Sequence, residues 1–148
     1  MKYDGILFHF GQSILSNEII KKPKKDPEVK EIKKLLKDNF HVPGWKHSDE
    51  ENFEDFKKRA IGLLNYLKTR KEKNIIITTH GIFMRILIAA VIMGSELSSY
   101  DYWKFFTTLY LDNTGITVLR SNEEEEYEDT PQWELVTWND HAHLGEGI

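Results

Sequence analysis

Cysteine is absent from all 148 residues of the chain. Disulfides, thiolate metal ligands and a thiol nucleophile are therefore excluded, and the composition fits a cytosolic protein. An excess of charge of either sign is lacking too: 20 Lys and Arg against 24 Asp and Glu leave a formal net charge of −4. Nothing global draws such a chain to nucleic acid or to an anionic membrane, so any phosphate recognition must come from a local site. Long apolar runs are also missing. Residues 1–10 hold too short an apolar stretch for a secretory signal, and the longest apolar segment, residues 82–93, is too short to cross a bilayer and contains Arg85. The chain shows no internal repeat and no domain linker.

What is present points to one folded domain. The chain is 40% hydrophobic and carries four Trp, six Tyr and eight Phe, enough to build a sizeable core. Its organising stretch is residues 74–94. Ile75, Ile76 and Ile77 form a β-branched run too short for a helix, expected to be a strand buried on both faces and ended by Thr78 and Thr79. Residues 82–93 are apolar except at Arg85, which suits a helix buried nearly all round and stopped by Gly94. His80 and Gly81 stand at the junction. A strand running straight into a buried helix aims the first N–H groups of that helix at one point, and Gly81 has no side chain to block an approach. That point is a natural anion site.

Around this stretch the periodicities predict an α/β order. Gly5 to Phe10 is a plausible first strand. Asp26-Pro27 reads as an N-cap and first helical residue, opening a helix to about Phe40 that buries Val29, Ile32, Leu35, Leu36 and Phe40. Ser48 to Glu51 has capping-box spacing and is expected to open a second helix with Phe53, Phe56, Ala60, Leu63, Leu64 and Leu67 on one face. Lys68, Arg70, Lys71 and Lys73 complement its C-terminal dipole. A shorter helix is expected over 97–106, a turn at Asn113-Thr114-Gly115, and strands around Ile116–Val118 and Trp133–Val136. The acidic segment 123–129 between those strands reads as a solvated hairpin loop. This order favours a sandwich with helices on both faces of a sheet, where ligands gather at the carboxyl ends of the strands.

Four blocks carry a resemblance: Ser48-Asp-Glu-Glu-Asn-Phe-Glu-Asp-Phe-Lys-Lys-Arg-Ala, Ile75-Ile-Ile-Thr-Thr-His-Gly, Asn113-Thr-Gly-Ile-Thr-Val-Leu and Thr137-Trp-Asn-Asp-His-Ala-His-Leu. In this order they resemble the C-terminal part of the histidine phosphatase superfamily, from about Glu18 to Leu144. The resemblance implies a phosphoglycerate-mutase-like three-layer α/β sandwich, shortened or incomplete at its N-terminus, in one domain. It implies a phosphomonoesterase, or phosphotransfer of the phosphoglycerate mutase type, acting on a small phosphorylated molecule without a cofactor. In that family a histidine in an Arg-His-Gly motif takes the phosphoryl group, a second histidine in the Thr-His-Gly block contacts the same phosphate, and a carboxylic acid protonates the leaving alkoxide. Carried onto this chain, His80 has the second-histidine role, Glu18 that of proton donor, and Gly81, Asn113 and Thr114 line the substrate.

No Arg-His-Gly occurs in the sequence. Two explanations stand. Ile6-Leu-Phe-His-Phe-Gly-Gln-Ser is a decayed form, with His9 at the arginine position and Phe10 at that of the nucleophile; or the true first strand lies in an upstream segment, the reading favoured by the short interval from His9 to Ser48. The chain by itself is then expected to be inactive. Alternatives are a non-catalytic phosphate-ester binder and a metal-binding or interaction module using His141 and His143, which could share one face of an extended tail beside Asp140. His80 itself could be a satisfied core histidine. A sheet missing its first central strand would leave residues 74–79 with an open apolar edge prone to self-association.

Overall fold

The computed structural model describes residues 7–10, the latter as backbone, together with 23, 25–47, 51–122 and 132–145. Glu18, Ser48 and the acidic segment 123–129 lie outside the described residues.

The first helix, α1 (Pro27–Asn39), begins as expected: the Asp26 carboxylate accepts the Glu28 N–H at 2.9 Å and Pro27 needs no partner for a missing N–H. Val29 and Leu36, seven residues apart, form its buried stripe. Leu35, expected inside, is instead 39% exposed, because one helical step of about 100° turns it off that stripe. Phe40 closes the helix and packs at 5.5 Å from the Tyr102 ring.

The second helix, α2 (Phe53–Lys68), is capped by Asn52 and not by Ser48. Asn52 Oδ1 accepts the Asp55 N–H at 3.0 Å, while Asp55 Oδ2 accepts the Asn52 N–H at 3.1 Å. This reciprocal pair satisfies two otherwise orphaned donors, and starting at Asn52 turns Phe53 and Phe56 inward. All six residues expected on the inner face are buried. Lys57 reaches out of this helix to donate to the Ser95 and Leu97 carbonyls at 2.6 and 2.7 Å, tying α2 to the turn that follows the next helix.

Strand β1 (Leu7–Phe10) lies parallel to β2 (Ile76–Thr79), with Leu7 opposite Ile76 and Phe10 opposite Thr79. β2 is not buried on both faces. Ile75 and Ile77 pack on the core, whereas Ile76, on the opposite face, is 56% exposed. The core formed by α2 and its neighbours lies against one face only, so alternation along the strand decides which isoleucines it covers.

From Thr79 the chain enters α3 (Gly81–Met93), whose Phe83, Ile86, Leu87, Ala89 and Ala90 share a buried cluster with Phe56, Ala60, Leu63 and Leu67 of α2, while Ile88 is buried outside it. Burial fails in its last turn, where Ile92 is 55% exposed. Gly94, at φ 58°, stops the helix as only glycine readily does. After a 3₁₀ turn over Gly94–Glu96, α4 (Ser99–Thr108) starts two residues later than expected, where Ser98 Oγ accepts the Asp101 N–H. The chain ends in an antiparallel pair, β3 (Ile116–Ser121) and β4 (Trp133–Asp140), with an irregular register between Ile116 and Leu119. Among the described residues the strands form two separate pairs, β1 with β2 and β3 with β4. The whole is the expected mixed α/β architecture of phosphoglycerate-mutase-like type.

The α2 cap is pH-sensitive. Hydrogen bonds from Lys46, 2.6 Å away, and from the Asn52 N–H hold the Asp55 carboxyl below the ordinary carboxylate range. A depressed folded-state value means the stabilisation is fully present above the unfolded value of about 3.9 and is lost as pH falls through the folded one. Asp55→Asn should lower the midpoint of urea unfolding at pH 7, and the gap to the parent should close on acidification below about pH 4. A gap independent of pH would remove the cap from this account.

Candidate functional site

His80 occupies the N-cap position of α3, with extended backbone at φ −98° and ψ 153°. Its carbonyl accepts the Met84 N–H at 2.9 Å, while its side chain makes no capping hydrogen bond. The side chain is exposed, so His80 is not a core histidine. An anion at this point would meet the partial positive charge of the helix start beside an imidazole.

A second wall comes from the segment between α4 and β3. Arg85, one turn into α3, donates through Nε to the Leu109 carbonyl at 2.8 Å and through Nη1 to the Gly81 carbonyl at 3.2 Å. Its guanidinium lies 5.2 Å from the centre of the Phe106 ring. Leu111 then passes so close to the helix start that a Cβ on Gly81 would sit 3.2 Å from Leu111 Cδ2 and 3.3 Å from Arg85 Nη1. Glycine at 81 therefore serves the approach of the neighbouring loop. Deeper in the first turn, the Tyr102 hydroxyl donates to the Ile82 carbonyl at 3.3 Å, and burial pushes its ionisation well above the ordinary phenol value. It stays a neutral donor there.

From the sheet side the same segment is held by β4. Trp138 Nε1 donates to the Tyr110 carbonyl at 3.0 Å. The Asn139 Oδ1 accepts the Asp112 N–H at 3.1 Å, and the Asn139 N–H donates to Thr117 Oγ1 at 3.2 Å. Asn139 is 8% exposed and adopts φ 51°. Asn113 and Thr114, both exposed, form the turn, and Thr114 is held at φ 65°, a region that a β-branched residue enters only when its surroundings impose it. Gly115 has no room for a side chain: a Cβ would stand 2.0 Å from Asn139 Oδ1.

The structure therefore joins Gly81 to the loop that carries Asn113 and Thr114, and Glu18 lies outside the described residues. His41, His47 and His141 have neighbours away from His80. His41 packs on Trp103 at 6.0 Å and His47 stacks on Trp45 at 6.4 Å. His141 and His143 do not share the face of an extended tail, because the chain turns into a 3₁₀ helix at Ala142–Leu144. His141 Nε2 faces Asp112 at 3.6 Å, and the Asp112 carboxylate, which also accepts from the Tyr110 hydroxyl, keeps that phenol protonated to higher pH. Among the described residues no three His, Asp or Glu side chains come together as a metal site.

Sequence reasoning missed Arg85 and Asn139. Arg85 was visible as the one charge inside an apolar helix, and such a charge is kept only with partners. Asn139 offered no comparable signal, since nothing local marks an asparagine as bonded to a turn more than twenty positions away.

With this geometry in view, the comparison with protein families is specific. The family model described as histidine phosphatase superfamily (branch 1) matches residues 20–141, and the chain belongs to that superfamily. No curated protein and no solved structure matches it. Phosphatase and phosphotransfer chemistry is thus the family setting of the site, and no helix among the described residues is long and apolar enough to cross a membrane.

Gly115→Ala should unfold at lower temperature by the equivalent of about 1–3 kcal/mol, the usual cost of forcing an extra methyl into packed structure. Calorimetry of the pair checks it, and an unchanged transition would mean that Asn139 yields freely.

Proposed function

We propose that this chain binds a phosphate monoester at His80 and the first turn of α3, and that it does so without forming a phosphohistidine. The observation that carries this reading is the register of β1 on β2. Phe10 stands opposite Thr79, the residue before His80, so the strand paired with β2 ends beside the helix start. In the sequence the family resemblance sets Arg-His-Gly against His9, Phe10 and Gly11. A phenyl ring has no lone pair with which to attack phosphorus, whereas anion binding asks only for donors and positive potential. The roles follow from chemistry: the α3 N–H groups and the His80 imidazole hold the phosphoryl oxygens, Gly81 keeps the approach open, and Asn113 and Thr114 offer polar groups to the organic part of the ester. Glu18 would be the proton donor of a catalytic version.

The family match favours phosphomonoesterase activity as the second reading, with His9 the imidazole nearest the sequence position of the nucleophile. One set of measurements separates the two. Isothermal titration of the purified chain with phenyl phosphate should show binding that His80→Ala weakens at least tenfold, a loss of about 1.4 kcal/mol. Hydrolysis of the same ester, followed by release of phenol, should not exceed that of His80→Ala. Turnover that disappears in both His80→Ala and His9→Ala would replace the binding reading with the catalytic one. Sedimentation in the same buffer tests self-association through the sheet, which would appear as a dimer that dissociates on dilution.

A further inference from the structure

We infer that Arg85 and Asn139 are positioning residues of the anion site: acting from opposite sides, they fix the 109–115 loop against the start of α3. The inference rests on the binding reading above for what the site holds, but its mechanical part stands on contacts alone.

Four attachments act on seven consecutive residues. Arg85 Nε takes the Leu109 carbonyl, Trp138 Nε1 the Tyr110 carbonyl, Leu111 Cδ2 lies 3.2 Å from where a Gly81 Cβ would be, and Asn139 Oδ1 takes the Asp112 N–H. The two residues beyond Asp112 are Asn113 and the left-handed Thr114. A short loop with its carbonyls and N–H groups bound in this way has little freedom left, and the unfavourable φ of Thr114 persists because the attachments around it leave no relaxed alternative. The two residues differ in what they add. Arg85 binds both the loop, at Leu109, and the helix start, at Gly81, so one planar guanidinium sets the distance between the two walls of the site. It also brings a positive charge within one helical turn of the anion. Lysine at 85 would keep the charge and lose the two-point geometry.

Asn139 works by shape and conformation. Its Oδ1 sits between the Asp112 N–H and Gly115, its own N–H is bound to Thr117, and its φ of 51° suits asparagine or aspartate better than other non-glycine residues. Through it β4, which contains no residue of the candidate site, determines where the Asn113-Thr114 turn sits.

The test uses the full chain labelled with nitrogen-15 and inorganic phosphate as the probe. In the absence of phosphate, Asn139→Ala and Arg85→Lys should each shift the Gly81 amide resonance, while Val29→Ala in α1, a destabilising control of the core, leaves it in place. Phosphate titration should then give Kd values about tenfold weaker in both site variants and unchanged in Val29→Ala, with Asn139→Asp restoring most of the affinity. A Gly81 resonance indifferent to Asn139→Ala and Arg85→Lys would overturn the inference. So would an unchanged phosphate Kd in those variants. If the parent binds no phosphate while the Gly81 resonance still responds, the binding reading fails and the mechanical link stands.

Discussion

A helix with one charge and no other strongly polar side chain along thirteen residues must be covered, and the covering of α3 governs this structure. α2 lays Phe56, Ala60, Leu63 and Leu67 along one side of it, and Leu97 and Tyr102 close the next. Arg59 of α2 spreads over the Phe83 ring at 4.5 Å and pairs with Glu51 at 3.0 Å, so even a cation at this boundary is held by an aromatic face. Only the two ends of α3 remain open. The C-terminal end is finished by Gly94, with Lys57 holding the Ser95 and Leu97 carbonyls of the turn beyond it; the N-terminal end carries His80 at its N-cap and Leu111 beside Gly81. The same apolar sequence that forces burial also leaves the start of α3 without a side-chain cap from its N-cap residue.

The contrast between α3 and β1 separates what a fold requires from what a reaction requires. A parallel strand beside β2 needs backbone N–H and C=O groups, and the backbone of Leu7–Phe10 provides them. Phosphoryl transfer needs a nucleophilic imidazole at one atom's precision. The first demand is met by many sequences and the second by very few, so the pairing of a strand says little about the chemistry beside it.

Much of this was legible from residue order. The 3.6-residue spacing from Phe53 to Leu67, the apolar run of α3 and the Asn-Thr-Gly turn are local signals, and each element formed where its signal lay. Boundaries were less legible: both Ser48 and Asn52 begin runs with acidic residues three positions on, and only packing of Phe53 decides between them. Burial of β2 was misjudged because a run of isoleucines does not say how many of its faces will be covered. Of the site, His80 and Gly81 were readable because the strand-to-helix junction is itself local. Arg85 could be noticed but not interpreted, and Asn139 not even noticed, because their partners lie across the loop from Leu109 to Gly115 and become neighbours only in three dimensions.

The two strand pairs also differ in how far the chain must travel to make them. Ser121 of β3 meets Trp133 of β4 after about a dozen residues, whereas Leu7 meets Ile76 after about 70, a closure whose entropy must be met before any ladder bond forms. The helical core of α2, α3 and α4 is assembled from residues 53–106 and does not wait for it. β1 thus closes the longest loop of the described strand pairs, and the helical core that supports His80 is built from residues that do not include it.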